Sequence, residues 1–212
     1  PEAREDSGKP IVEGQSPTLH HLNLHNGTVW RWNRPIYAPG LQRAHIRVEN
    51  RILPAGPTST DIVADAAFYY GLVKYLAEET RPVWSRLPFE TAEQNFFYGA
   101  RAGMFARLEW PTLGRIDVAT LVQDHLLDQA RAGLRALGVD ENLITHYLGI
   151  IRERARTRQN GAMWQLRTVK ALTPAGSKPD SPERRAALAE MLRRYLDNQA
   201  TGAPVHTWKI SG

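Results

Sequence analysis

The feature that most restricts the fold of this chain is a succession of helix-forming segments that follows residue 58. Apolar residues recur in these segments near helical spacing, and Ser, Thr, Asp or Asn stands where most of them begin. The segments predicted as helices are 59–79, 88–103, 117–137, 140–158, 160–172 and 181–198. Because they occupy about half of the 212 residues, the chain is predicted to be rich in helix.

Two segments that precede these helices have the composition of strands. The first, 28–32, is β-branched and aromatic and follows an Asn-Gly turn signal, and two prolines and a glycine interrupt the chain after it. The second, 45–53, alternates apolar and charged residues. A pair of strands is a poor sheet by itself. We therefore predict an α+β fold whose strands need neighbours from outside this sequence.

The same pass along the chain predicts its domain organisation. Residues 1–18 are polar and contain three prolines, which is typical of a linker or a poorly ordered lead-in. Residues 19–200 form the predicted body, and 201–212 are predicted to be a tail. Since the chain begins with proline, we expect it to be a piece of a longer protein.

Composition restricts the chemistry. The absence of cysteine excludes disulfides, thiolate metal sites and cysteine nucleophiles, and it is compatible with the cytoplasmic location that we expect. No apolar run approaches the roughly 20 residues that span a bilayer, so no membrane partner is expected. The net charge of +5 suggests a nucleic-acid-binding module as one hypothesis. However, the arginines are spread over several predicted elements, so no nucleic-acid partner is expected.

The charged face of the second strand is the strongest candidate for a site. In "HIRVENRIL", His45, Arg47, Glu49 and Arg51 fall on one face at a period of two. A carboxylate between guanidinium groups stays ionised and could bind Mg²⁺, while arginines hold phosphate oxygens bidentately. The alternative is a salt-bridge ladder on an exposed face of the sheet.

The preceding "TVWRWNRP" brings further groups toward this strand. Trp30 and Trp32 share one face, Arg31 lies on the other, and Arg34 precedes a proline that biases its backbone to an extended shape. The alternative is that the tryptophans belong to the core and that Arg34 caps a turn.

In order along the chain, these motifs resemble the second, bacterial and plant-like family of glutamate–cysteine ligases. The resemblance covers roughly residues 25–170 and rests on a Trp-rich strand ending in Arg-Pro, a Glu-x-Arg strand, a "P…D" helix start and the later "AEQNFFYGARAG". "NGAMWQ" resembles a C-terminal motif more loosely. The matching residues are Trp30, Arg34, Pro35, Glu49, Arg51, Ile52, Pro57, Asp61, Asn95, Ala100, Arg101 and Gly103.

The resemblance implies a glutamine-synthetase-like fold, in which a curved antiparallel sheet is backed by helices. It also implies a carboxylate–amine ligase of glutathione biosynthesis that uses ATP and Mg²⁺ to form an acyl phosphate on glutamate, which an amine such as that of cysteine then displaces. Glu49 would be a Mg²⁺ ligand, and Arg51 would steady the transferring phosphoryl group. Arg34 would contact phosphate or the glutamate carboxylate, and Arg47 and Arg101 would contact the nucleotide.

Two departures from the family restrict this interpretation. The remaining metal-binding carboxylates come from the family's N-terminal half, which would be the partner of this chain, so the chain alone is expected to be inactive. In addition, "LPAGP" follows Arg51 where relatives often carry an acidic residue. The alternative is a non-catalytic ligase-like scaffold that binds a small acidic metabolite or a partner protein.

Two weaker candidates have ordinary explanations. "HHLNLH" contains three histidines but has no convincing carboxylate partner, so a loop or strand cluster is favoured over a metal site. The arginines at positions 152, 154, 156 and 158 spread around a helix axis, so we predict a solvated helix end.

Overall fold

The computed structural model describes residues 8, 10, 12, 14–30, 32–39, 44–53 and 55–210. The chain divides into two compact units, Pro1–Pro54 and Ala55–Gly212. Helices dominate, and the strands form two small antiparallel pairs, so the predicted α+β class is confirmed. Much of the predicted lead-in at 1–18 lies outside the described residues.

Among its described residues, the first unit has one short helix and one strand pair. Its elements are α1 (His20–Gly27), β1 (Asn33–Ala38) and β2 (His45–Asn50). The strands run antiparallel, with Arg34 opposite Glu49 and Tyr37 opposite Ile46. None of the described residues of this unit is buried, so the strand pair lacks a core of its own.

The position of the first strand differs from the prediction. It begins at Asn33, beyond the predicted segment 28–32, and it includes Pro35. The ladder explains why proline is tolerated. The Arg51 amide donates to the Trp32 carbonyl, and the alternation of antiparallel pairs then places Pro35, opposite Val48, where no ladder hydrogen bond is needed. Strand pairing, which depends on residues far apart in sequence, outweighed the local composition.

The second unit is built from helices and one hairpin. Its helices are α2 (Ser59–Glu78), α3 (Phe89–Ala102), α4 (Val118–Leu121), α5 (Leu127–Ala136), α6 (Glu141–Thr157), α7 (Gly161–Leu172) and α8 (Pro182–Ala200). A π-helical turn, Val122–Leu126, joins α4 to α5. The hairpin strands are β3 (Arg107–Trp110) and β4 (Gly114–Asp117), in a segment predicted to be irregular.

Five helices of the second unit begin at a side-chain cap, which is a local interaction, whereas α3 begins after Pro88 without one. A side-chain oxygen accepts a hydrogen bond from a backbone amide of the first turn and so satisfies a donor that the helix leaves unpaired. The capping residues are Thr58, Asp117, Asp140, Asn160 and Ser181. At Asp117 burial raises the carboxyl pKa, but amide hydrogen bonds and the Arg158 guanidinium outweigh it, so this pKa is lowered.

The main core lies among α2, α5 and α6. Ala64 of α2 packs with Leu127 and Leu134 of α5 and with Ile144 and Leu148 of α6. Two glycines bring α2 and α5 together. A Cβ added at Gly133 would lie 1.9 Å from the Gly71 carbonyl oxygen, so a side chain there would push the helices apart.

A second core cluster includes the C-terminal segment and corrects the prediction of a tail at 201–212. Trp164 of α7 packs against Val205 and Trp208, and all three are buried. The Gln159 amide donates to the carbonyls of Val205 and Trp208, at 3.0 and 2.9 Å, and the Trp164 indole donates to that of Lys209. The segment was predicted to be a tail because most of its residues are small or polar, but Val205 and Trp208 anchor it in this core.

Within the described residues, no helix combines the length and apolar character that crossing a membrane requires.

Candidate functional site

The predicted charged face forms on the strand pair of the first unit. Because Arg34 and Glu49 are cross-strand partners, their side chains lie on the same face. Arg34 Nε is 2.5 Å from Glu49 Oε2, and Arg51 Nε is 3.6 Å from the same oxygen. One carboxylate oxygen is therefore shared by two guanidinium groups, as the salt-bridge alternative requires.

Arg34 is held by more than this ion pair. Its Nη1 donates to the carbonyl oxygens of Asn26 and Gly27, at 2.8 and 3.2 Å. These carbonyls belong to the last turn of α1, where the negative end of the helix dipole favours a cation. Arg34 thus links the end of α1 to Glu49 on β2, and its side chain is only 18% exposed.

Arg51 is oriented by an aromatic ring. Its guanidinium carbon lies 4.6 Å from the ring centroid of Trp30, and Nη1 donates to the Val29 carbonyl at 3.4 Å. A guanidinium over a tryptophan ring is attracted to the face of the ring and keeps its N–H groups available for hydrogen bonds. Trp30 is exposed rather than part of a core among the described residues.

Arg47 completes the charged face on β2. It is exposed, and its Nη1 lies 3.2 Å from His45 Nε2. This face therefore has a net charge of two positive units, because it has three guanidinium groups (Arg34, Arg47 and Arg51) and one carboxylate (Glu49). Such a surface favours a phosphate or carboxylate over a lone cation.

The residues present do not by themselves fit Mg²⁺. The ion takes a shell of oxygen ligands, whereas this face supplies one carboxylate, and Glu49 Oε2 is already shared by Arg34 and Arg51. Within the part of the chain that the structure describes, no group of three or more His, Cys, Asp or Glu side chains could hold a metal ion. This includes the described histidines of "HHLNLH".

Arg101 and Asn95 lie in the second unit, on α3. Arg101 is exposed and has no ion-pair partner among the described residues. Asn95 has a structural role, because its amide makes two hydrogen bonds with the backbone of Glu109, at 2.7 and 2.9 Å, and thereby ties α3 to β3.

Sequence reasoning missed a buried ionic network in the second unit. Asp61 is fully buried and accepts hydrogen bonds from Thr58 Oγ1, from the Val205 amide and from Arg154. Arg154 also bonds Asp65 at 2.5 Å. Burial raises the pKa of Asp65, and the Arg154 guanidinium opposes that rise.

This network corrects the prediction of a solvated helix end at 152–158. Arg154 is 12% exposed, and Arg158 bonds Asp117 and the Met104 carbonyl, both at 2.8 Å. Arg152 and Arg156 are exposed, as predicted. Helical spacing alone shows that the four arginines point in different directions; only the neighbouring elements determine which of those directions are covered.

Comparison of the chain with protein-family models, with curated proteins and with solved structures found no match.

Proposed function

We propose that this chain is the C-terminal portion of an ATP-dependent glutamate–amine ligase similar to glutamate–cysteine ligase. In that reaction the side-chain carboxylate of glutamate takes the γ-phosphoryl group of ATP, which gives ADP and an acyl phosphate. An amine such as that of cysteine then displaces phosphate and forms the amide bond. The observation that carries the proposal is the face on which Arg34 and Arg51 share the Glu49 carboxylate and Arg47 lies exposed.

The geometry supports different roles for the arginines. Arg51, whose guanidinium lies over the Trp30 ring, is suited to steadying the transferring phosphoryl group. Arg47 is exposed on the same face and is suited to nucleotide phosphate. Arg34 uses its donors on Glu49 and on α1, so we assign it chiefly to holding the carboxylate in place. Phosphoryl transfer depends mainly on such positioning and on charge neutralisation.

Exposed apolar residues support a partner for the strand pair. Ile46 and Val48 share the face opposite the arginines and are 73% and 66% exposed. Exposing these apolar side chains to water is unfavourable. We therefore propose that further strands, from the N-terminal half of the same protein, cover them. That half would also supply the carboxylates that Mg²⁺ needs beside Glu49. The family resemblance separately assigns Arg101 to the nucleotide. A cytoplasmic location, where ATP is available, is part of the proposal.

A specific observation favours a second candidate. Glu49 is engaged by two arginines within the strand pair itself, which is the arrangement of a self-contained ion-pair ladder. In that case the protein would be a non-catalytic, ligase-like scaffold whose cationic face binds a small acidic metabolite or a partner protein.

The test is ADP release by the full-length parent with ATP, Mg²⁺, glutamate and an amine. Glu49→Gln and Arg51→Ala should each reduce turnover by about 10²–10³-fold, the loss typical when one preorganised charge contact is removed. Arg152→Ala, at an exposed arginine of α6, is the matched control and should leave turnover unchanged. Full turnover in Glu49→Gln and Arg51→Ala would refute the assigned roles. A parent that binds no nucleotide by calorimetry would favour the scaffold.

A further inference from the structure

The second unit has a groove between α7 and α8 that the proposed ligase chemistry does not use. Its volume is about 540 Å³, within the range of about 300–1,000 Å³ that is usual for the sites of small ligands. The rings of Trp164, near the start of α7, and Tyr195, near the end of α8, have centroids 6.0 Å apart. Lys170 and Arg184, from the opposite ends of these helices, line the groove. The helices are therefore antiparallel, and each end of the groove takes residues from both.

Most of the groove is apolar, and its deeper part rests on the core. Val169 of α7 is 7% exposed, and Met191 of α8 is half-buried and packs against the second core cluster. Leu166 and Leu188 line the groove as well, but they are 65% and 41% exposed. An apolar surface that is supported by the core and left open to water is typical of a binding site.

The end of the groove beside the connection between the helices is cationic. Lys170 lies in the last turn of α7 and Arg184 in the first turn of α8, and within the described residues neither side chain has an ion pair or a hydrogen bond. None of the described residues that line the groove is Asp or Glu. The neighbouring Glu183 carboxylate is engaged by Ser181 and by the backbone at the start of α8. An apolar groove with such cations at one end complements a ligand that has an anionic group and an apolar body.

The spacing of these groups restricts the length of the ligand. Arg184 and Met191 both belong to α8, and their positions are about two helical turns, or about 10 Å, apart along its axis. A ligand whose anionic group lies at Arg184 therefore covers the apolar part of the groove with an extended alkyl chain of medium length. A much shorter chain would leave Met191 in water.

We propose that this groove binds the anion of a medium-chain fatty acid, with its carboxylate at Lys170 and Arg184 and its alkyl chain along Val169 and Met191. The two oxygens of a carboxylate can accept hydrogen bonds from both cations, and each methylene group that leaves water adds to the affinity. This inference is independent of the proposed ligase activity, because the residues that carry it lie in the second unit alone.

The three methionines of the chain allow a direct test, because Met191 lines the groove and Met104 and Met163 do not. The full chain, labelled at its methionine methyl groups, is titrated with octanoate below the concentration at which micelles form and is followed by NMR. We expect a saturable shift of the Met191 signal alone. Butyrate, which has four fewer methylene groups, should bind at least about tenfold more weakly. Octylammonium, whose charge is reversed, should bind about fivefold more weakly.

Two results of this titration would overturn the proposal. Equal binding of octanoate and octylammonium would show that the cations do not select the ligand. The absence of a saturable Met191 shift with octanoate would show that the groove binds no such anion.

A pair of variants separates binding from folding. Lys170→Met keeps an unbranched side chain and removes the charge, so octanoate should bind about fivefold more weakly, whereas octanol, which has no charge, should bind as it does to the wild type. Lys209→Met makes the same change at an exposed lysine outside the groove and is the matched control. Unchanged octanoate binding by Lys170→Met, or an equal loss in both variants, would refute the position assigned to the carboxylate.

Other occupants of the groove give different results. If the Met191 signal of the free chain moves on dilution, a second copy of the chain covers the groove. If that signal shifts with vesicles of anionic phospholipid but not with octanoate, the groove meets a membrane surface. Either result would overturn the proposal.

Discussion

Replacing Arg154 by alanine should destabilise the second unit far more than replacing a neighbouring arginine. Arg154 joins α6 to two carboxylates of α2, Asp61 and Asp65, at 2.9 and 2.5 Å. Removing it leaves a fully buried carboxylate without its cation. Breaking a buried pair in this way costs about 3–5 kcal/mol. For a unit of this size we expect the unfolding temperature to fall by about 6–20 °C.

The matched control is Arg156→Ala on the same helix. Arg156 is 63% exposed, and among the described residues its ion-pair partner is Glu153, three residues earlier. Exposed ion pairs of this kind contribute little because water and salt screen them, so its unfolding temperature should equal that of the wild type. Thermal unfolding followed by circular dichroism measures both variants. Equal unfolding temperatures for Arg154→Ala and Arg156→Ala would refute the role assigned to the network.

The effect of Arg154→Ala should also depend on pH. Burial raises the pKa of Asp65 above its ordinary 3.8, and Arg154 opposes that rise, so the pKa should be higher still in the variant. A raised carboxyl pKa means that the folded state binds the proton more tightly. Stability therefore falls as the pH rises from 3.8 through the folded-state pKa. The variant should lose less stability near pH 4 than at pH 7, and an equal loss at both would contradict this explanation.

Three further outcomes are expected. Gly133→Ala should cost about 1–3 kcal/mol, because the new methyl group meets the Gly71 carbonyl; Gly149→Ala, with open space, should be tolerated, and thermal unfolding compares them. Asp117→Asn should be less stable than the wild type at pH 7. Because the lowered carboxyl pKa stabilises the fold only while the group is ionised, this difference in stability should narrow below pH 3.8. Thermal unfolding at both pH values measures it. The Glu190 carboxyl should titrate at a pKa of about 2 by NMR, because hydrogen bonds from Arg193 and then Arg194 hold it ionised; a midpoint near 4.5 would contradict those bonds.

The helices could be predicted well because their signals are local. Asp140 caps α6 through the amide of Asn142, and Ser181 caps α8 through that of Arg184. Each pair lies within three residues, so composition alone contains the information. The strands were predicted less well. β1 is defined by its partner on β2, and the hairpin of β3 and β4 lies in a segment without a strong strand composition.

The charged face was predicted in part. A period of two places Arg47, Glu49 and Arg51 on one side of a strand, and the structure retains that arrangement. The pattern did not show that Arg34 would stand opposite Glu49, because antiparallel register joins residues 15 positions apart. It also did not show that Arg34 would donate two hydrogen bonds to carbonyl oxygens of α1.

The sequence by itself determined the helix-rich class, the helix starts and the alternation of charge along β2, since each depends on residues within about one or two turns of one another. Only the tertiary structure decided which polar groups meet. The Arg154–Asp61 pair spans 93 positions, and the Gln159 amide reaches the Trp208 carbonyl 49 positions away. Such contacts depend on how the helices pack. Packing in turn depends on close approaches such as that of Gly71 to Gly133, which are far apart in sequence and cannot be predicted from a short segment.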